Sequence, residues 1–277
     1  MLARRAASAA VLVPLLGAVL LLGHVAIAVA VVLIAAAAAV ETFRLLRQAG
    51  HPALAGLGTA IGVLLVAEGA LLPGAGQEAL VAIAAGFVLA AVGSFGRHDP
   101  RDGLATWQWT VFGGLYVGLL SFLPRLVGTA PPLPATAPLA AFLDGGRWWL
   151  VLCVLTVWSY DTGAYFAGRT IGGPRFLTHI SPSKTWAGAV GGLVVASAVA
   201  VALLAGIGEP PAAGLLLGPL IAASAQAGDL AESLLKRAAG AKDSGELIPG
   251  HGGILDRLDS FLFAAPAVYF YVLALVR

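Results

Sequence analysis

Long, continuously apolar runs constrain this chain more than any other feature. One begins after Arg4 and Arg5 and continues, broken only at Gly23-His24, as far as Val40. A bilayer core needs about 20 apolar residues for one helical crossing, and comparable runs recur to the C-terminus. Their spacing predicts about nine transmembrane helices, over residues 7–22, 25–45, 53–72, 78–95, 107–127, 148–168, 186–206, 210–236 and 258–276. Some fall short of a full crossing, which implies local bilayer thinning or shifted ends. A β-barrel would instead alternate polar and apolar residues. The 277 residues are 59% hydrophobic and 11% charged, with a mean hydropathy of +0.92, so a soluble domain is a poor fit. The expectation is an all-α polytopic membrane protein. The first run, with its leading arginines, has the look of a secretory signal. Because it carries on to Val40, it is read as an uncleaved hairpin of two spans.

The breaks carry turn chemistry, as at Leu72-Pro73-Gly74, the proline-rich 131–138 and Glu209-Pro210-Pro211. Small residues, including 36 glycines, allow helices to approach closely in a membrane. Two regions are expected: 1–127 with spans one to five, and 128–277 with spans six to nine and the charged loops. The net charge of +2 gives no reason to expect a nucleic-acid partner. The distribution of charge says more. With the N-terminus in the cytoplasm, 13 of the 16 Lys and Arg residues fall on the inner side, leaving Arg125, Arg147 and Arg277 outside. That bias supports the orientation and puts the 169–185 and 237–257 loops on one face. The single cysteine, Cys153, excludes an intramolecular disulfide and a multi-cysteine metal site.

Charge concentrates in residues 228–259, GDLAESLLKRAAGAKDSGELIPGHGGILDRLD, which hold ten charged side chains between two apolar runs. Charge beside or within a bilayer is expensive and marks function. Gln226, Asp229, Glu232, Ser233 and Lys236 recur at helical spacing and form one polar stripe, suited to a hard cation such as Mg²⁺ or to a structural ion-pair seam. Asp256 and Asp259 stand at the start of the last helix, where the macrodipole also favours acids. The preceding Pro249-Gly250-His251-Gly252-Gly253 can turn tightly and present N–H groups to an anion. Ser181-Pro182-Ser183-Lys184-Thr185 opens a helix with hydroxyls and a lysine, a phosphate-friendly arrangement and also a simple cap. Asp161, with Tyr165 and Arg169 at i+4 and i+8, lies inside span six. Glu68 has no obvious partner. Glu41, Arg44 and Arg47 read as an interfacial charge cluster, Trp107, Trp109, Trp148 and Trp149 as an aromatic belt, and His24, His51 and His98 as solvated loop residues. Acids, bases and phosphate-friendly loops on one face suit metal-assisted phosphoryl or nucleotidyl transfer. These residues alone name no donor and no acceptor.

The run S-L-L-K-R-x4-K-D-S-G-E-L-I-P-G-H-G-G-I-L-D-R-L-D, Ser233 to Asp259, resembles the signature of the phosphatidate cytidylyltransferases, or CDP-diacylglycerol synthases. DTGAYFAGR at 161–169, SPSKTW at 181–186 and QAGDLAES at 226–233 are similar to further motifs of that family. The likeness covers roughly the C-terminal 40% of the chain. Ala187 departs from it, since many relatives carry an acid or amide there. The resemblance implies CMP transfer from CTP to phosphatidate at a bacterial inner membrane, with a site open to the cytoplasm. It implies Asp229 and Asp256 as Mg²⁺ ligands, with Asp259 and Asp161 as second acids, and leaves a second cation open. Lys184, Lys236, Arg237 and Arg257 would hold phosphates. Ser181, Thr185 and His251 would add hydrogen bonds, and Ser233, Lys242, Asp243, Gly252 and Gly253 would line the substrate site. A homodimer stays open. Two other readings are a related transferase acting on another lipid, such as a prenol, and an ion-coupled transporter using Asp161, Asp229 and Glu232. Against the transporter, no paired broken helices recur in two halves.

Overall fold

The computed structural model describes residues 2–248, 250 and 252–276, with side chains from residue 10 onward. Ten α-helices appear among them: α1 (Leu2–Leu22), α2 (His24–Gln48), α3 (Ala55–Leu71), α4 (Gln77–Ser94), α5 (Pro100–Gly118), α6 (Phe122–Thr129), α7 (Gly145–Thr170), α8 (Trp186–Ile207), α9 (Gly214–Ala238) and α10 (Asp259–Leu275). The protein is an all-α polytopic membrane protein. Among the described residues six segments are long and apolar enough to cross a bilayer, and Ala10–Leu22, Ala55–Leu71 and Asp259–Leu275 are shorter apolar helices. The run expected at 107–127 is a helix interrupted by a 3-10 turn at Leu119–Ser121. Large apolar side chains such as Leu80, Val81, Phe87, Val88 and Val92 of α4 face outward. Lipid tails solvate such a surface; water would not.

The chain divides into two compact units. The first holds Met1–Arg125 and Leu234–Leu258, the second Leu126–Ser233 and Asp259–Arg277. In the first unit α2, α3 and α5 pack together around Ala35, Ala38, Leu46, Val66 and Val117, all fully buried. Glycine makes that packing close. Phe43 of α2 lies where a side chain on Gly58 of α3 would stand, and a methyl group on Gly113 of α5 would come within 2.6 Å of its ring. Glu68, expected to lack a partner, pairs with Arg125, whose guanidinium also donates to the Ala75 carbonyl at 2.8 Å.

In the second unit α7 and α8 form the main contact. The buried positions of α8 run Gly188, Gly192, Ala196, Ala200, Leu204, one residue per turn, the first four of them small. A methyl group on Gly192 would stand 2.7 Å from the Tyr160 ring, so the backbones nearly touch, as small residues allow in membranes. Trp149, expected at a membrane interface, is fully buried and lies 6.3 Å from the Tyr271 ring. Its position one turn into α7 places it on the packed face. His51, expected to be solvated, stacks on Trp109 at 3.9 Å.

Candidate active site

The second unit carries one cluster of motif residues. A hairpin joins α7 to α8. It is pinned by a bridge between Arg175 and Thr185 and by Phe176 N–H donating to the Lys184 carbonyl at 3.2 Å. Thr185 caps α8, its hydroxyl accepting from Gly188 N–H at 3.1 Å. This geometry turns Lys184 onto Asp229 of α9, and the two form an ion pair. Ser233, one turn further along α9, donates to Asp229 Oδ1 at 3.3 Å. Glu232 on the same stripe is fully buried. Gln226 accepts from the Tyr160 hydroxyl at 2.5 Å. Gly228 lies directly against the Asp259 carbonyl, so α9 crosses the start of α10 at that point. Asp259 Oδ1 accepts from the neighbouring Ser260 N–H at 2.6 Å, at the start of α10 where the macrodipole favours an acid. Asp161 and Ser181 are at least partly exposed. Arg169, two turns beyond Asp161, donates to the Tyr165 hydroxyl at 2.8 Å.

The first unit carries the other cluster. The segment after α9 folds back so that Ile248 N–H donates to the Gly252 carbonyl at 2.9 Å, and Gly252 adopts a left-handed φ of 83°. Lys236, in the last turn of α9, donates to Asp256 Oδ1 at 2.7 Å. Asp256 Oδ2 accepts from the backbone N–H groups of Gly253 at 2.8 Å and Ser244 at 2.9 Å. Burial pushes the Asp256 carboxyl up. The Lys236 hydrogen bond, the two N–H groups and the Lys236 charge outweigh it and hold the group below its ordinary value. Arg237 reaches the Ala241 carbonyl at 3.5 Å, and Arg257 is exposed. Lys242 and Asp243 line a cavity of about 250 Å³ with Arg44, Gln48 and Glu246. His251 lies outside the described residues.

Glu41 is the residue that the sequence misplaced. Its spacing groups it with Arg44 and Arg47, which are exposed; instead it is 3% exposed and takes part in this second cluster. Oε2 accepts from the Ser244 hydroxyl at 2.7 Å and Leu255 N–H at 2.8 Å. Oε1 accepts from Ile254 N–H at 3.0 Å. An acid inside an apolar run was a visible signal, but partners more than 200 positions away were not. Gly245 and Gly253 make room for it. A methyl group on Gly245 would come within 2.5 Å of Oε1, and one on Gly253 would collide with Oε2 and the Ser244 hydroxyl. The Gly253 N–H, expected to face substrate, is donated to Asp256.

Among the described residues no three acidic, histidine or cysteine side chains form a ready metal cage. The oxygen donors present, Asp229 with Ser233 and Asp256 with Ser244, still match Mg²⁺. That ion takes one or two carboxylates from a protein and completes its shell with water and phosphate oxygens. Lysine ammonium groups beside both carboxylates suit the same phosphates.

Fold and clusters define a class: a multi-pass helical membrane protein carrying the acids, lysines and hydroxyls of phosphate chemistry. The profile of the Cytidylyltransferase family matches residues 3–275, and the chain belongs to that family. A Brucella suis protein named phosphatidate cytidylyltransferase is 46% identical over 123 residues, 44% of this chain and 46% of the relative. A Bacillus subtilis protein of the same name is 45% identical over 127 residues, 45% of this chain and 47% of its own. An Arabidopsis thaliana protein named phosphatidate cytidylyltransferase 4, chloroplastic, is 38% identical over 212 residues, 71% of this chain and 53% of the relative. The chain spans about half the length of the curated relatives it matches.

Proposed function

We propose that this protein transfers CMP from CTP to phosphatidate, giving CDP-diacylglycerol and pyrophosphate. The observation that carries the reading is the pairing of signature lysines with signature aspartates, Lys184 with Asp229 and Lys236 with Asp256, in a chain matched by the family profile from residue 3 to 275. In the balanced reaction a phosphatidate phosphate oxygen attacks the α-phosphorus of CTP. The bond from that phosphorus to the β-phosphate oxygen breaks, and pyrophosphate leaves with its electron pair. Lys184, Lys236, Arg237 and Arg257 hold and neutralise phosphate oxygens. Ser181, Ser233 and Thr185 supply hydrogen bonds, and Lys242 and Asp243 line the nucleotide's approach. Asp229 and Asp259 of one unit and Asp256 of the other are proposed ligands of Mg²⁺. The ion would screen phosphate charge and align the attack. Asp161 is proposed as an orienting acid. The reaction faces the cytoplasm of a bacterial inner membrane, with the N-terminus on that side, as the basic-residue bias supports.

The test uses purified protein in mixed micelles with phosphatidate, Mg²⁺ and radiolabelled CTP. Label should enter the organic phase as CDP-diacylglycerol and disappear with chelator. Folded protein that yields no labelled lipid would reject this substrate pair and favour another lipid phosphate or nucleotide. Labelled lipid that persists in chelator would reject the metal.

A further inference from the structure

Resting on that reading, we infer that Glu41 of α2 is a positioning residue, which holds Asp256 in its cation-ready form by claiming the proton of Ser244. The number of protons available limits what each carboxylate can receive. A serine hydroxyl has one. Ser244 Oγ stands 2.7 Å from Glu41 Oε2 and 3.0 Å from Asp256 Oδ2, so it can serve only one of the two carboxylates at a time. The same oxygen accepts from Asp256 N–H at 3.3 Å. A one-way chain results: Asp256 N–H donates to Ser244, and Ser244 donates to Glu41. Asp256 Oδ2 then keeps two N–H partners, from Gly253 and Ser244, and no hydroxyl proton.

Glu41 also joins the two stretches of backbone that hold Asp256. Through Ser244 it holds one; through the N–H groups of Ile254 and Leu255 it holds the other. Every one of these contacts reaches Glu41 as a donor, which only an acceptor-only carboxylate satisfies in full. Glutamine has the same shape but cannot replace it. Either amide orientation points an NH₂ at Ile254 N–H, or at Leu255 N–H and the Ser244 hydroxyl. In the second orientation the hydroxyl is pushed toward Asp256 and takes up a lone pair of Oδ2; in the first, Ile254 N–H loses its acceptor and that backbone stretch is released from Glu41. The nearby glycines leave no slack for the cluster to readjust, since Gly245 and Gly253 abut Glu41 directly.

The experiment measures Mn²⁺ binding to the full chain in detergent by electron paramagnetic resonance, with no lipid substrate present. Wild type should bind. Glu41→Gln should bind about 10- to 100-fold more weakly, the effect expected when a group behind a metal ligand is lost. Ser244→Ala should weaken binding too, because it unties Glu41 from the backbone stretch whose N–H holds Asp256, and the double variant should lose little more than the worse single one, because both changes break one chain. Glu68→Gln is the control. It disrupts another buried carboxylate of the same unit, paired with Arg125, and should lower thermal stability while leaving Mn²⁺ affinity unchanged. A folded Glu41→Gln protein with wild-type affinity overturns the inference. If that variant does not fold, wild-type affinity in Ser244→Ala overturns it. Wild type that binds no Mn²⁺ overturns the metal reading, and the inference with it.

Discussion

The two units each contain an aspartate, a lysine and a serine, yet they hold the aspartate differently. Among the described residues Asp229 is held by side chains, Lys184 and Ser233, and its own side chain is 30% exposed. The Asp256 side chain is 6% exposed and is gripped by Lys236, two backbone N–H groups and, behind them, a second carboxylate. The first arrangement is the looser one, because its partners are side chains that can change rotamer and the Asp229 carboxylate is itself partly exposed. The second is set when the loop folds, since backbone donors cannot swing away. Asp229 is therefore the adaptable acid of the pair and Asp256 the preorganised one.

Asparagine at each position gives the widest contrast. Asp256→Asn places an amide in a ring of donors, so one NH₂ must face Lys236 or the N–H groups of Gly253 and Ser244. Activity should fall by more than about 100-fold, beyond what groups behind a metal ligand lose. The protein should also lose about 3 kcal/mol of stability, the scale for removing one member of a buried pair. At Asp229 the carbonyl of an asparagine can still accept from Lys184, and its NH₂ can donate to the Ser233 hydroxyl. That variant should lose activity but less than about 1 kcal/mol of stability, as for a partly exposed pair. Turnover assays and thermal melts in detergent, run together, separate the two effects. Wild-type turnover by Asp256→Asn would remove Asp256 from the chemistry, and equal stability losses would erase the contrast.

A methyl group tests the same difference at smaller scale. Gly228 abuts the backbone carbonyl of Asp259, whereas Gly253 abuts the side chains of Glu41 and Ser244. Backbone cannot give way, so Gly228→Ala should destabilise more, within the roughly 1–3 kcal/mol of an overpacked core. Gly253→Ala should destabilise less but weaken Mn²⁺ binding more. Gly74→Ala, with nothing within 4 Å of the new methyl group, should change neither. Thermal melts and Mn²⁺ titration of the three variants check the order; a reversed order would mean that the first cluster is the softer one.

The parts of this picture visible in the sequence are those encoded locally. Apolar runs predict the helices because hydropathy follows from the residues themselves. Asp229, Ser233 and Lys236 fall on one stripe because they share one helix. The Thr185 cap was readable from a hydroxyl ahead of an apolar run. Glu41 was not readable, since its partners are a hydroxyl 203 positions away and an N–H 214 positions away, and backbone donors leave no mark in residue type. The Glu68–Arg125 pair was hidden for the same reason, with 57 positions between its members. Trp149 misled because tryptophan at a helix start suits an interface and a packed face equally well.

The smallest expected effect comes from a carboxylate outside both clusters. Glu209 lies in the turn after α8, and burial pushes its carboxyl above the ordinary value of 4.5. There the dominant influence is desolvation; at Asp256 lysine and N–H groups overcome it. The signs are therefore opposite. A raised folded-state value means that the folded protein holds the proton more tightly than the unfolded chain. Stability from this group is complete below about pH 4.5 and declines as pH rises through the raised value. Glu209→Gln removes that decline. The variant should match wild type near pH 4 and exceed it at pH 7, by no more than the roughly 0.5 kcal/mol typical of surface changes, with turnover unaltered. Melting curves across that pH range decide the matter. A variant less stable than wild type at pH 7 would mean that the Glu209 carboxylate is paired after all, and that the contrast between gripped and merely buried acids does not extend beyond the two clusters.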